Sequence, residues 1–204
     1  MYLVRTKNLG ITYSAHAAHA HVLSARADSD HSERRSTTGF VISLAGGAIN
    51  CASRRQHCIT MSSCESELVA LADCAIELLH TDAMLEHIGY RRSGPIAVGT
   101  DNKAAHDLCH RFTSAQNSRH IDRKLFKMRE LRGAGTVTVT HVPTEVNEAD
   151  IFTKILSRQV FERHRRAILN PSEVSADSSD TADATHAAPS RDVAGSRGGS
   201  AARA

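Results

Sequence analysis

Tryptophan is absent from the 204-residue chain, and three Tyr and five Phe are its only aromatic residues of that class. Rows of stacked aromatics, on which many single-strand binders hold successive bases, are therefore excluded. Cysteine occurs five times, at Cys51, Cys58, Cys64, Cys74 and Cys109, with no C-x-x-C pair. An odd set so spaced suits reduced thiols better than a disulfide framework or a structural zinc site. No run approaches the roughly 18 unbroken apolar residues of a membrane span, and the opening MYLVRTKNLG lacks a hydrophobic signal region. The expectation is an intracellular protein, cytoplasmic or nuclear, without a membrane partner. Also missing are the G-x-S-x-G elbow of serine hydrolases and the glycine fingerprints of P-loop and Rossmann sites.

What is present is ordinary for a globular domain: 41% hydrophobic and 23% charged residues. A length of 204 residues suits a single module and is too short for a multi-domain polymerase. The net charge of +3 is too mild to name a nucleic-acid partner by itself, but it is unevenly spread. After Asn170 there are three Arg against five acidic residues, which leaves the first 170 residues at +5, with 22 basic and 17 acidic groups. Residues 171–204 are rich in Ser, Ala, Asp and Gly and have no aromatic residue. Such a stretch cannot bury enough surface to order itself and reads as a disordered tail. Residues 1–21 read as a connecting segment ending in a loop, SAHAAHAH, and 22–168 as the domain proper. His16, His19 and His21 fall in that loop, where histidines seldom chelate a metal.

Alternating strands and helices are expected within the domain. Residues 22–28 suit an opening strand, and 40–44 and 49–52 a hairpin around Ala-Gly-Gly-Ala. Ser62 followed by Glu65 is a capping signal, after which Leu68, Leu71, Ala72, Ala75, Ile76, Leu79 and Ala83 recur at helical spacing. A long helix over 64–87 is expected, then a strand at 96–100, helices at 102–111 and 119–132, a strand at 136–142 and helical turns near 148 and over 158–168. This order predicts a mixed sheet covered by helices, since hairpin-linked strands are antiparallel and helix-linked ones usually parallel.

In this layout four carboxylates fall at the ends of different elements: Asp28 after the first strand, Glu67 in the first turn of the long helix, Asp101 after the fourth strand and Asp150 near the last helix. Ionised carboxylates brought together repel, and a fold tolerates this chiefly when a hard divalent cation offsets the charge. Any one of the 22 acidic residues taken alone is more often a surface charge or a helix cap, so the local motifs have to decide.

Five segments do so in combination: RRSTTGFVISLAGGAINCASRRQ (34–56), MSSCESELVAL (61–71), TDNKAAH (100–106), SRHID (118–122) and HVPTEVNEADIFTK (141–154). In order and spacing they resemble the ribonuclease H domain of copia-type LTR-retrotransposon polyproteins, over roughly residues 2–168. YLVRTKNLGITYS (2–14) is similar to the stretch that joins the reverse transcriptase to that domain. The resemblance implies the ribonuclease H-like α/β fold, a five-stranded mixed sheet flanked by helices. It implies endonucleolytic hydrolysis of RNA within an RNA-DNA hybrid, and an upstream reverse transcriptase domain as a partner.

By the same resemblance Asp28, Glu67, Asp101 and Asp150 are the catalytic carboxylates. They hold two Mg²⁺ ions, or Mn²⁺, that activate a water for attack on the phosphodiester. The family's first aspartate usually lies farther from the paired basic residues than Asp28 lies from Arg34 and Arg35. Asp28 takes the position if the following loop is shortened; an ungapped alignment puts Ser24 there. These two lie about 13 Å apart along an extended strand, so only one can serve. A serine would leave a catalytically decayed polyprotein fragment that at most binds nucleic acid. The family's tryptophan after the hairpin is also missing, with Cys51 in its region. His141 opens an H-x5-N segment like one in related cellular enzymes, where it assists proton transfer or product release; a strand histidine is the plainer account. Asn102 is a candidate for the hybrid's minor groove, or simply a helix cap. Arg119, His120, Arg123, Lys124 and Lys127 recur at helical spacing and are candidates for phosphate contact, against the alternative of a solvated helix face.

Overall fold

A computed structural model describes residues 2–14, 22–111 and 119–170. The expected tail at 171–204 and the three loop histidines lie outside the described residues. A one-turn helix α1 (Tyr2–Arg5) precedes three strands, β1 (Leu23–Asp30), β2 (Thr37–Leu44) and β3 (Gly47–Arg55). Then come α2 (Ser63–His87), β4 (Ile96–Thr100), α3 (Lys103–His110), α4 (Arg119–Gly133) and β5 (Val137–His141). Two 3₁₀ turns, Thr144–Val146 and Glu148–Phe152, lead into α5 (Arg158–Leu169).

The five strands form one sheet in the order β3-β2-β1-β4-β5. β1 is antiparallel to β2 and parallel to β4, and β4 is parallel to β5, so the sheet is mixed as the element order predicts. The short connection after Asp30 does not disturb pairing: the β1–β2 register runs without a break from Leu23↔Leu44 to Asp30↔Thr37. The β2–β3 turn is built on Ala45 and Gly46, both at positive φ (53° and 85°). Two such residues give a turn whose twist matches the strands it joins. The connecting segment is fastened to this hairpin and to α5. Ser14 N donates to Ala45 O at 2.8 Å, the Tyr13 hydroxyl to Ala48 O at 2.9 Å, and Thr12 N to Leu169 O at 2.8 Å.

α2 starts where the capping signal places it. Ser62 Oγ accepts from Glu65 N at 3.2 Å, and Glu65 Oε2 accepts in return from Met61 N at 2.7 Å, one residue before the cap. Its Leu68, Leu71, Ala75 and Leu78 are buried, packed against the sheet (Ala27, Phe40, Ile42, Val98) and against α4 (Ile121, Leu125, Met128). Ile76, expected inward, is 42% exposed, and Ala83 is also exposed, whereas Leu85 turns in. A helix covered by a sheet on one side and another helix on the other buries most of its circumference, so a single apolar stripe misjudges its ends. Cys74 and Cys109 are buried and all five cysteines are free thiols, as the spacing predicts. Cys51 is exposed on β3. No helix among the described residues is long and apolar enough to cross a membrane.

Gly39 is the close-packing point beneath the 3₁₀ segment. It pairs with Asp28 across the β1–β2 ladder, and a Cβ there would meet Phe152 Cβ at 2.9 Å and Ala149 O at 3.0 Å. Neither is the tip of a flexible side chain, so the segment itself would have to move. We expect Gly39→Ala to destabilise the fold by about 1–3 kcal/mol in urea unfolding. Gly94→Ala, where nothing lies within 4 Å of the added carbon, should change stability by less than about 0.5 kcal/mol. Equal effects of the two would contradict the packing account.

Candidate metal centre

Asp28 lies inside β1 rather than after it, because pairing with β2 carries the strand on to Asp30. Glu67 is in the second turn of α2 rather than the first, since the helix begins at Ser63 and Glu65 is the acid of the first turn. Asp101 follows β4, as expected. One ligand oxygen from each of Asp28, Glu67 and Asp101 lies within 4.8 Å of the others. Asp150 stands on the second 3₁₀ turn, buried beside Asp28 but outside that trio. Ser24, the alternative first position, is four residues back along β1, opposite Ser43.

Glu67, Asp28 and Asp150 are oriented by short-range donors. Glu67 Oε1 accepts from Ser29 N at 3.0 Å and lies 3.0 Å from Ser29 Oγ; its Oε2 accepts from Thr100 Oγ1 at 3.3 Å. On Asp28, Oδ1 accepts from Lys154 Nζ at 3.1 Å and Oδ2 from Thr153 Oγ1. The same ammonium reaches Asp150 Oδ1 at 3.2 Å. The fully buried Asn147 donates from Nδ2 to Ala27 O at 3.2 Å, which ties the 3₁₀ segment to β1 next to Asp28.

Burial pushes Asp28 up to about 6, against the lowering effect of Thr153 and Lys154 and with the help of Asp150. Glu67 is raised further, to about 8, by burial first and then by the charges of Asp28 and Asp101, which its bonds from Ser29 only partly offset. Asp150 is raised by burial, with Lys154 opposing. Burial works to lower Lys154, but the two carboxylates beside it outweigh this and hold it firmly charged. Among the described residues no cationic side chain pairs with Glu67 or Asp101. Three hard oxygen donors, crowded and short of positive charge, fit a divalent ion such as Mg²⁺ or Mn²⁺.

The remaining predicted residues are placed unequally. His141 ends β5 and is exposed, and its Nε2 bonds the backbone oxygen of Asp101 at 3.1 Å, next to the carboxylate cluster. That contact requires the tautomer protonated at Nε2. Asn102 caps α3, its Oδ1 accepting from Ala105 N at 3.0 Å. On α4, Lys124 is ion-paired with Asp73 of α2, Lys127 lies 3.4 Å from Glu130, and Arg123 is exposed. The side chains of Arg119 and His120 lie outside the described residues. Thr153, Lys154 and the orienting Ser29 were not anticipated as site residues. The signal for the first two lay in ADIFTK, where Asp150 and Lys154 are one helical turn apart.

No known family profile matches the chain. Its architecture matches that of LC11-RNase H1, isolated from compost by a metagenomic approach, with a TM-score of 0.52 at 16% identity over 65% of this chain and 93% of that one. The fold is thus ribonuclease H-like. The retrovirus-related Pol polyprotein from transposon RE1 of Arabidopsis thaliana is 30% identical over 167 residues, 79% of this chain. Those from transposon TNT 1-94 of Nicotiana tabacum and transposon RE2 of Arabidopsis thaliana are 29% and 31% identical over 133 residues, 65% of the chain. The chain belongs with the retrovirus-related Pol polyproteins of copia-type transposons and spans 9–11% of the length of the relatives it matches.

Asp28 and Glu67 bind protons more tightly folded than unfolded, so between the ordinary carboxylate range and about pH 8 the folded state holds more protons and the metal-free protein loses stability as pH rises. Glutamine suits position 67, because its oxygen accepts from Ser29 and its amide can donate to Thr100. We expect the metal-free melting temperature to fall by roughly 3–8 °C over that range, and Glu67→Gln to remove most of the fall. A flat parent profile, or an unchanged slope in the variant, would contradict the crowding described above.

Proposed function

We propose that this chain is a retrotransposon-type ribonuclease H, hydrolysing RNA endonucleolytically within an RNA-DNA hybrid in a reaction that depends on a divalent metal. The observation that carries this reading is the meeting of Asp28, Glu67 and Asp101 from three separate elements of a ribonuclease H-like sheet. Homology to Pol polyproteins supplies the context, since copying RNA into DNA generates such hybrids. Magnesium or manganese, when bound, supplies Lewis-acid stabilisation of charge on the scissile phosphate and the means to make a water nucleophilic near neutrality.

The chain's own residues do the rest. Asp28, Glu67 and Asp101 are the ligands, and Ser29, Thr100 and Thr153 hold two of them in fixed rotamers, so little reorganisation is needed. To His141, whose Nε2 bonds the Asp101 backbone oxygen, we assign the acceptance or return of a proton as the leaving oxygen departs. For the duplex we assign phosphate contact to Arg119, His120, Arg123 and Lys127 of α4, and minor-groove contact to Asn102. Lys124 contributes less, because Asp73 offsets its charge. The partner in the parent polyprotein is an upstream reverse transcriptase domain, reached through the segment at 2–14. Assigning Asp28 rather than Ser24 to the first position is supported by its carboxylate lying with those of Glu67 and Asp101.

The test is cleavage of an end-labelled RNA-DNA hybrid with Mg²⁺, comparing the parent with Asp101→Asn. We expect the parent to cut the RNA strand and the variant to lose more than about a hundredfold in rate with its fold intact. An inactive parent, or equal rates in the two, would overturn the assignment and leave a fragment that at most binds nucleic acid.

A further inference from the structure

The carboxylates of the centre fall into two halves that share Asp28. In the first, Asp28, Glu67 and Asp101 converge without a basic side chain of their own beyond the one on Asp28. In the second, Asp28 and Asp150 are bridged by Lys154, whose Nζ lies 3.1 Å from Asp28 Oδ1 and 3.2 Å from Asp150 Oδ1. The ammonium is delivered by local geometry. Lys154 N donates to Asp150 O at 3.0 Å and Thr153 N to the same oxygen at 3.1 Å, so the chain closes one turn and returns the lysine over the aspartate. Thr153 Oγ1 then takes the other oxygen of Asp28, leaving both Asp28 oxygens with donors from this turn.

A divalent ion held by Asp28 and Asp150 would need the space between their oxygens, at about 2.1 Å from each for magnesium. An ammonium 3.1 Å from one and 3.2 Å from the other already fills that space and supplies a positive charge, held there by two charge-assisted hydrogen bonds. The residues therefore fit one ion in the first half and do not fit another in the second. We propose that Lys154 is a tethered cation in the second position, so that this centre binds one divalent ion where the family resemblance implies two. The inference rests on the metal-centre reading of Asp28, Glu67 and Asp101. It assigns Lys154 a positioning role: it holds Asp28 and Asp150 together and fixes how many ions the carboxylates accept.

Mn²⁺ counting by electron paramagnetic resonance on the full chain tests this. Bound ions are taken as the excess over Asp28→Asn, which removes the carboxylate common to both halves, and folding is checked by thermal melting. We expect one ion in the parent, one in Lys154→Arg, where the charge is kept, and two in Lys154→Gln, where it is lost. Two ions in the parent or in the arginine variant would overturn the proposal, as would a single ion in Lys154→Gln. No excess in the parent would overturn the metal-centre reading itself, so the two failures are distinguishable.

Discussion

Burial of carboxylates beside one another, with loss of water first and mutual repulsion added to it, is the constraint on which this centre depends. Asp28, Glu67 and Asp150 are all at most 5% exposed, and Asp101 closes the group. Burial would ordinarily be tolerated by pairing each charge, yet one lysine serves two of them. The unbalanced part is Glu67, which hydrogen bonds from Ser29 and Thr100 orient but cannot neutralise. Hydrogen bonds to a carboxylate are worth less than its desolvation costs when like charges sit beside it. Such an arrangement is a poor way to make a stable domain and a good way to hold a hard cation.

The rest of the structure is organised around keeping those groups close. β1 must be central, because it brings Asp28 beside Asp101 through its parallel neighbour β4 and lies beneath the N-terminal turns of α2. β2 must carry a glycine opposite Asp28, or the segment bearing Asp150, Thr153 and Lys154 could not settle on the sheet. Asn147 fixes that segment from the other end through the Ala27 carbonyl. The hydrophobic core of α2, α4 and the sheet packs these pieces against one another.

Much of this was legible in residue order. Periodicity and capping chemistry located β4 and α2 to within a residue, because Ile96–Thr100 is a short apolar run and Ser62 has a matching Glu65. Asp28 was placed beyond its strand because DSD is a poor strand sequence alone; pairing with Thr37 and Thr38 overrides that preference. Whether strand pairing survives the shortened loop needed geometry, since such a loop can be proposed from sequence but its register cannot be checked there. Lys154 went unnoticed for a different reason. A lysine four residues after an aspartate on a short turn is usually an ordinary surface pair, and only the approach of Asp28 from a strand 126 residues away makes it part of the centre.

The account stands most directly on where a cation sits. Anomalous diffraction from crystals of the chain soaked in Mn²⁺ measures this without reference to activity. The account predicts a peak enclosed by Asp28, Glu67 and Asp101. Saturating Mn²⁺ that leaves this point empty, with the three carboxylates still in place, would contradict it.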